Sequence, residues 1–436
     1  MFLIRIIAVL LFVSLTCFLN QVNAQEDNLS QPIPGQYIVK FKDSVSDSSD
    51  KANKLATKYG AAIEHIYEHG LMGANVTLPP GKEKDLLDDP DIETVVQDFT
   101  IFALDKTDKS EDAPSAEASA MGNAGMGGGG SSQVIPTGIK WVGAFDNMTN
   151  EGTGVKVVVL DTGIDFSHPD LMVNTSLSRD FSGDGTGGND DNTSIGGHGT
   201  HCAGVIAALD NTKGVLGVGS QIDLVSVKVL NRAGSGSFGG IIAGLDYVTS
   251  NASLIAITNS SFGAKGGTNP SQSFIDASNL LRAAYQRAAN AGVINVVAAG
   301  NESVDVTTNN EVPAMYPEVV TVSAVSDSNG VQDSADTWAY FSSYGAQVDI
   351  IAPGVNILST AIGGGTSSLS GTSFSSPHVA GTLGLYVARN GRPLTGDAQL
   401  LGSVISAISK SRSPLPGEPS DGFTEPSCFA NGASLQ

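Results

Sequence analysis

Three short runs in the chain carry side chains of complementary chemistry: Asp161-Thr162-Gly163-Ile164-Asp165, His198-Gly199-Thr200-His201-Cys202-Ala203-Gly204, and Gly371-Thr372-Ser373-Phe374-Ser375-Ser376-Pro377-His378-Val379-Ala380-Gly381. A serine hydroxyl is a weak nucleophile at neutral pH, so it needs a base to take its proton and an acid to orient that base. Ser373 lies between a glycine turn and a helix start, His198 opens a second helical segment, and Asp161 ends the apolar run Val155 to Leu160. With Ser373 as nucleophile, His198 as general base and acid, and Asp161 as orienting carboxylate, the trio would hydrolyse an acyl bond. Taken singly, each reads more readily as a turn serine, a structural histidine or a helix cap.

Groups so far apart in sequence need a rigid scaffold to meet. Beyond Gln133, nearly continuous apolar runs alternate with Gly-rich turns and amphipathic helical segments: Val155 to Leu160, Leu224 to Leu230, Leu254 to Thr258, Val293 to Ala298, Val319 to Val325 and Val348 to Ala352. This pattern predicts an α/β fold, a doubly wound, mostly parallel sheet covered on both faces, with its site where the strands end. Residues 25–105 form a separate acidic unit with strand-like Gln36 to Phe41, helix-like Asp50 to Tyr59, strand-like Met72 to Thr77, helix-like Glu83 to Leu87 and strand-like Glu93 to Val96. The unit reads as β-α-β-β-α-β, with the residues of its second strand unassigned, and predicts a small α+β, ferredoxin-like sandwich. Residues 106–132, rich in Lys, Asp, Ser, Ala and then Gly, cannot bury a core and read as a linker and processing region. The main domain then spans 133–410, and the Pro-, Ser- and Gly-rich tail 411–436 reads as a poorly ordered extension or an edge covering.

Composition narrows the classes. With 436 residues, 41% hydrophobic and 15% charged, the chain is globular with ample core rather than disordered. A formal charge of −21 without a basic patch argues against nucleic acid as a partner. Residues 1–24 carry Arg5, an apolar stretch from Ile6 to Leu19 and the small-residue ending Val22-Asn23-Ala24, which predicts a secretory signal peptide, an extracellular product and no membrane association after its removal. Removal leaves Cys202 and Cys428, as one bridge or two free thiols. Cys202, four residues beyond His198 on a helix, is expected as a buried small residue beneath the site. Asn75, Asn147, Asn174, Asn192 and Asn251 stand in glycosylation acceptor patterns; Asn259 and Asn301 do too, within motifs where a glycan would not fit.

Together, and in the order Asp, His, Ser, the three motifs resemble the subtilisin family of serine proteases. The resemblance runs from Gln133 to about Ser409, and residues 25–105 look like the inhibitory propeptide that precedes such enzymes. It implies a serine endopeptidase made as an autoprocessed zymogen, acting as a monomer on protein or peptide substrates, with its own propeptide as intramolecular inhibitor. Asn301, in Ala298-Ala299-Gly300-Asn301-Glu302, matches the family's side-chain oxyanion donor. Gly234-Ser235-Gly236 and Ser261-Phe262-Gly263 match the segments that flank an extended substrate, Glu302 the rim of the primary pocket, and Glu311 its base, where small neutral residues are common. An acid there implies a preference for Lys or Arg. A structural calcium is implied with Gln133, Asp170, Leu209, Asn211, Lys213 and Val215 as ligands. A ligand at Gln133 places maturation just before it, around Ser131 or Ser132. The alternatives are a catalytically silent binding protein on the same scaffold and an esterase, for which a Gly-x-Ser-x-Gly context at Ser373 is lacking.

Overall fold

In the amino-terminal unit, β1 (Pro32–Phe41), α1 (Ser48–Tyr59), β2 (Ala62–Tyr67), β3 (Gly73–Thr77), α2 (Glu83–Leu87) and β4 (Ile92–Ala103) follow the predicted order. The computed structural model describes residues 29–69, 71–104, 132–145, 149–190, 192, 196–392 and 398–430; the signal segment, Asn147 and Ser131 lie outside these. The antiparallel order is β4-β1-β3-β2. Asp47 caps α1 by accepting the Asp50 N–H, and Gly60 ends it in the left-handed conformation with φ of 71°, where a side chain would be strained. One sheet face packs on the two helices through Val39, Phe41, Ala52, Leu55, Val76 and Leu86. The other face, with Ile38, Tyr67, Val96, Phe99 and Ile101, joins the core of the following domain.

That domain holds α3 (Thr137–Trp141), β5 (Lys156–Asp161), β6 (Arg179–Asp180), α4 (His198–Ala207), β7 (Asp223–Lys228), β8 (Ser235–Ser237), α5 (Phe238–Ser250), β9 (Ile257–Ser260), β10 (Phe262–Lys265), α6 (Gln272–Asn290) and β11 (Ile294–Ala298). There follow β12 (Glu311–Val312), β13 (Val320–Ser326), β14 (Thr337–Trp338), β15 (Ile350–Pro353), β16 (Ile357–Ala361), β17 (Gly365–Leu369), α7 (Thr372–Asn390), α8 (Ala398–Ala407), β18 (Ser409–Lys410) and β19 (Ser427–Cys428). The central order is β15-β13-β11-β9-β5-β7, all parallel. Alternate residues of β5 enter opposite cores: Val157 and Val159 face α4 and α7, whereas Val158 and Leu160 face α5 and α6. Both sheet faces are therefore covered, which is why the strands read as unbroken apolar runs.

The carboxyl-terminal tail covers an edge. Ser427 of β19 pairs in parallel with Ile351 of β15, and β18 pairs antiparallel with β19. Arg412 holds the tail together, with Nη1 2.7 Å from Glu418 Oε2 and Nη2 3.3 Å from Glu425 Oε2. Two glycosylation expectations are corrected: Asn75 and Asn192 are fully buried, with no room for a glycan. Cys202 and Cys428 are both buried and unbridged, Cys202 beneath the site as expected.

Candidate active site and its relatives

Asp161 is the last residue of β5, held between β7 and β9, so the strand end itself delivers the carboxylate. The Thr162 N–H donates to Asp161 Oδ1 at 2.7 Å. His198 is the first residue of α4, and its Nδ1–H reaches Asp161 Oδ1 at 2.8 Å and Oδ2 at 3.0 Å, with both side chains fully buried. The close approach of α4 to the β5 loop requires Gly199: a Cβ there would lie 2.2 Å from the Gly163 carbonyl oxygen. A carboxylate on Nδ1 fixes the tautomer that leaves Nε2 as the basic atom.

Ser373 is the second residue of α7, after Gly371. Its Oγ–H donates a hydrogen bond to the carbonyl oxygen of Leu104, the last described residue of the amino-terminal unit, and lies 3.1 Å from the Ser261 carbonyl oxygen. Pro377 sits four residues further along α7 and has no N–H to give the Ser373 carbonyl. That carbonyl instead accepts from Ser261 Oγ at 2.8 Å and from Cys202 Sγ at 3.4 Å, which ties the nucleophile's backbone to the turn after β9 and to α4. Burial pushes the Cys202 thiol well above its ordinary value, so it serves as packing and a weak donor.

Asn301 follows β11. Its Oδ1 accepts from Thr372 N–H and Thr372 Oγ, each at 2.9 Å, which fixes the amide, and its Nδ2 is buried with no partner among the described residues. A buried amide donor left open costs stability unless something arrives to accept from it. Beside Ser373, the group that fits is an oxygen bearing developing charge.

An extended strand occupies the cleft. The end of β4 pairs antiparallel with β8 on one side, Thr100 with Ser237, Ile101 with Gly236 and Phe102 with Ser235, and with β10 on the other, Gly263 with Phe102 and Phe262 with Ala103. The Ala103 N–H donates to Gly234 O at 2.9 Å and the Leu104 N–H to Ser261 O at 3.2 Å. Gly234, Ser235, Gly236, Ser261, Phe262 and Gly263 therefore all flank this strand. Gly263 is the wall against which Leu104 packs, since a Cβ there would stand 3.1 Å from Leu104 Cδ1. Glu302 pairs with Lys265 at 2.5 Å. Glu311 is 3% exposed, and a Cβ on Gly300 would lie 2.8 Å from its Oε2. Burial, with Glu302 adding repulsion and Lys265 opposing it, pushes the Glu311 carboxyl up to about 8.

A second convergence of oxygen atoms lies by α4. Gln133 Nε2 contacts Leu209 O at 2.5 Å and Val215 O at 3.2 Å; Asn211 Nδ2 and the Val215 N–H reach Asp170 at 2.7 and 2.9 Å; the Lys213 N–H donates to Asn211 Oδ1 at 2.6 Å. Asp170 is 2% exposed, and burial raises its carboxyl above the ordinary value.

Several contributors carry little or no signal in the sequence. Thr162 and Thr372 stood within the quoted motifs, where a hydroxyl next to a catalytic acid or nucleophile is the available signal. Lys265 carried none.

Residues 152–410 match the subtilase family and residues 36–103 the peptidase inhibitor I9 family. The chain is 35% identical to an alkaline serine protease of Corniculantispora psalliotae, over 81% of this chain and 80% of that one. It is 33% identical to subtilisin E of Bacillus subtilis, over 81% of each. Among solved structures it resembles a cold adapted subtilisin-like serine proteinase, with TM-score 0.54 and 29% identity, covering 69% of this chain and 99% of that one. The chain is a serine endopeptidase of the subtilase family, preceded by an inhibitory propeptide domain of the I9 family.

Proposed function

We propose that the protein is a secreted endopeptidase that cuts its own chain after Leu104 and is then held inactive by the segment it has released. The observation that carries this reading is the hydrogen bond from Ser373 Oγ to the Leu104 carbonyl oxygen, at the end of a strand paired on both sides. Ser373 Oγ attacks that carbonyl carbon while His198 takes its proton; Asp161 stabilises the imidazolium; Asn301 Nδ2 and the Ser373 N–H receive the oxyanion. Collapse breaks the Leu104–Asp105 bond, His198 protonates the departing amine of Asp105, and water then hydrolyses the acyl-enzyme by the same route. This bond differs from the expected junction at Ser131 or Ser132; residues 105–132 would remain on the new amino terminus until trimmed.

After cleavage the ladder to β8 and β10 still holds residues 100–104, and Tyr67, Glu68, His69 and Asp98 still grip α5, so the product is an inhibitor. Tyr67 Oη donates to Gly239 O at 3.0 Å, Asp246 accepts the Glu68 and His69 N–H groups at 3.0 and 2.7 Å, and Asp98 accepts the Gly239 N–H at 3.1 Å. Export rests on the pattern in Met1 to Ala24, and no described helix is long and apolar enough to cross a membrane.

Calcium fits the second cluster. Its donors are all oxygen once the Gln133 and Asn211 amides turn, and a divalent cation would offset the cost of the buried Asp170 carboxylate. Gln133, Asp170, Leu209, Asn211, Lys213 and Val215 would hold it in a structural role, away from Ser373.

The direct test is labelling of the processed enzyme with a fluorophosphonate. The adduct should map to Ser373 and be missing from Ser373→Ala; an adduct elsewhere would refute the assignment.

A further inference from the structure

Lys228 is the last residue of β7 and lies beside Asp161 in the parallel ladder. It is fully buried, and a buried ammonium is tolerated only where oxygen atoms replace its water. Its Nζ donates to Thr162 O at 2.7 Å and Leu230 O at 3.0 Å, and Asp184 Oδ2 lies 3.3 Å away.

Both carbonyls belong to segments that hold Asp161. Thr162 gives its N–H to Asp161 Oδ1 at 2.7 Å, and its Oγ accepts the N–H of Gly199, the neighbour of His198, at 3.0 Å. On the other side, the Val229 and Leu230 N–H groups donate to the Asp161 carbonyl at 2.9 and 3.1 Å. One ammonium therefore grips the peptide that positions the carboxylate and the peptide that positions the backbone of the same residue. An apolar side chain of equal length would leave two buried carbonyls without that donor and free both segments to shift. Asp184 is a quarter exposed and accepts the Arg232 N–H, so the grip is tied to the surface at its far end.

We propose that Lys228 is a positioning residue of the hydrolytic reaction, fixing Asp161 against His198 Nδ1 through the carbonyls of Thr162 and Leu230. This rests on the triad reading above. Lys228 touches neither nucleophile nor substrate strand, so its removal should act on turnover rather than on binding.

The test is Lys228→Met in the full chain, assayed after processing with kcat expressed per fluorophosphonate-titrated site. Displacing a catalytic group by a fraction of an ångström costs about 10- to 100-fold in rate, so kcat should fall by that much with KM within about twofold. Wild type should show a downfield proton resonance for His198 Nδ1–H held against Asp161, and the variant should broaden or lose it. Unchanged kcat and resonance, with only a lowered melting temperature, would overturn the proposal. If Lys228→Met does not fold, Asp184→Asn decides: a kcat lowered about 2- to 5-fold with KM unchanged supports it, and wild-type kcat overturns it. Wild type that fails to label at Ser373 would overturn the triad reading and this proposal together, whereas label at Ser373 with full turnover in the variants sinks only the role of Lys228.

Discussion

Glu311 makes a quantitative prediction about specificity. We propose that Glu311 lines the base of the primary pocket, as the resemblance implies; its carboxyl, pushed up to about 8 by burial, is mostly neutral at neutral pH. With that value, roughly 0.1 of the Glu311 carboxyl is ionised near pH 7 and roughly 0.9 near pH 9. Substrates ending in Arg at the cleaved bond gain from the ionised form, those ending in Leu do not, and titration of His198 affects both alike. The ratio of kcat/KM for Arg over Leu should therefore rise about tenfold between about pH 7 and pH 9. The assay is a pair of peptides differing only at that residue, each measured across this range. Glu311→Gln should hold the ratio flat near its low-pH value. A flat ratio in wild type, or a rise that survives Glu311→Gln, would refute the reasoning. The stability sign follows from the same shift. A carboxyl with a raised folded-state value binds its proton more tightly folded than unfolded, so stability is lost as pH rises from about 4.5 to about 8. Glu311→Gln should thus resist alkaline unfolding better than wild type, by up to about 4–5 kcal/mol.

Asp98 is fully buried at the amino end of α5, and burial raises its carboxyl to about 6, so its contribution to holding the propeptide weakens as pH rises from about 3.8 to about 6; the half-life of the cleaved, still inhibited complex should carry this dependence, and Asp98→Asn should lose it. Chelation should lower the melting temperature by about 5–10 °C, the equivalent of roughly 2.7 kcal/mol of binding at a hundredfold excess of calcium over its dissociation constant; Asp170→Asn should melt low and ignore chelator, and a wild type indifferent to chelator would remove the calcium reading. Neither Cys202 nor Cys428 should react with a thiol reagent until the fold is opened, as peptide mapping after native and denatured labelling would show.

What the sequence disclosed was whatever depends on local pattern. Apolar runs ended at Asp161 and Ala298 because parallel strands covered on both faces must be apolar throughout and turn where the site begins. Leu254 to Thr258 read as a strand begins instead at Ile257, because Asn251 caps α5 and Leu254 lies half exposed in the turn that follows, an apolar residue with no core to enter. The stretch Ala62–Tyr67 is not legible as a strand, since its alternation mixes Glu64 and His65 into a half-exposed strand. The pattern of β4 is legible only to Val96, yet the strand runs to Ala103, because its last partners, β8 and β10, come from the other domain and leave no trace in its own periodicity. The same holds for Lys228 and Lys265, ordinary lysines in sequence that distant loops turn into buried or paired ones. The tail became an edge strand through Arg412, Glu418 and Glu425, whose pairing no spacing rule announces.

The central claim is that Ser373 cuts this chain after Leu104. Expressing the precursor beside Ser373→Ala, and taking intact masses and amino-terminal sequences of the products, tests it most directly. Wild type should yield a fragment ending at Leu104 and a partner beginning at Asp105, or at a trimmed residue between 105 and 133, while Ser373→Ala stays joined. Identical cleavage of both chains, or a first cut elsewhere than after Leu104, would contradict it.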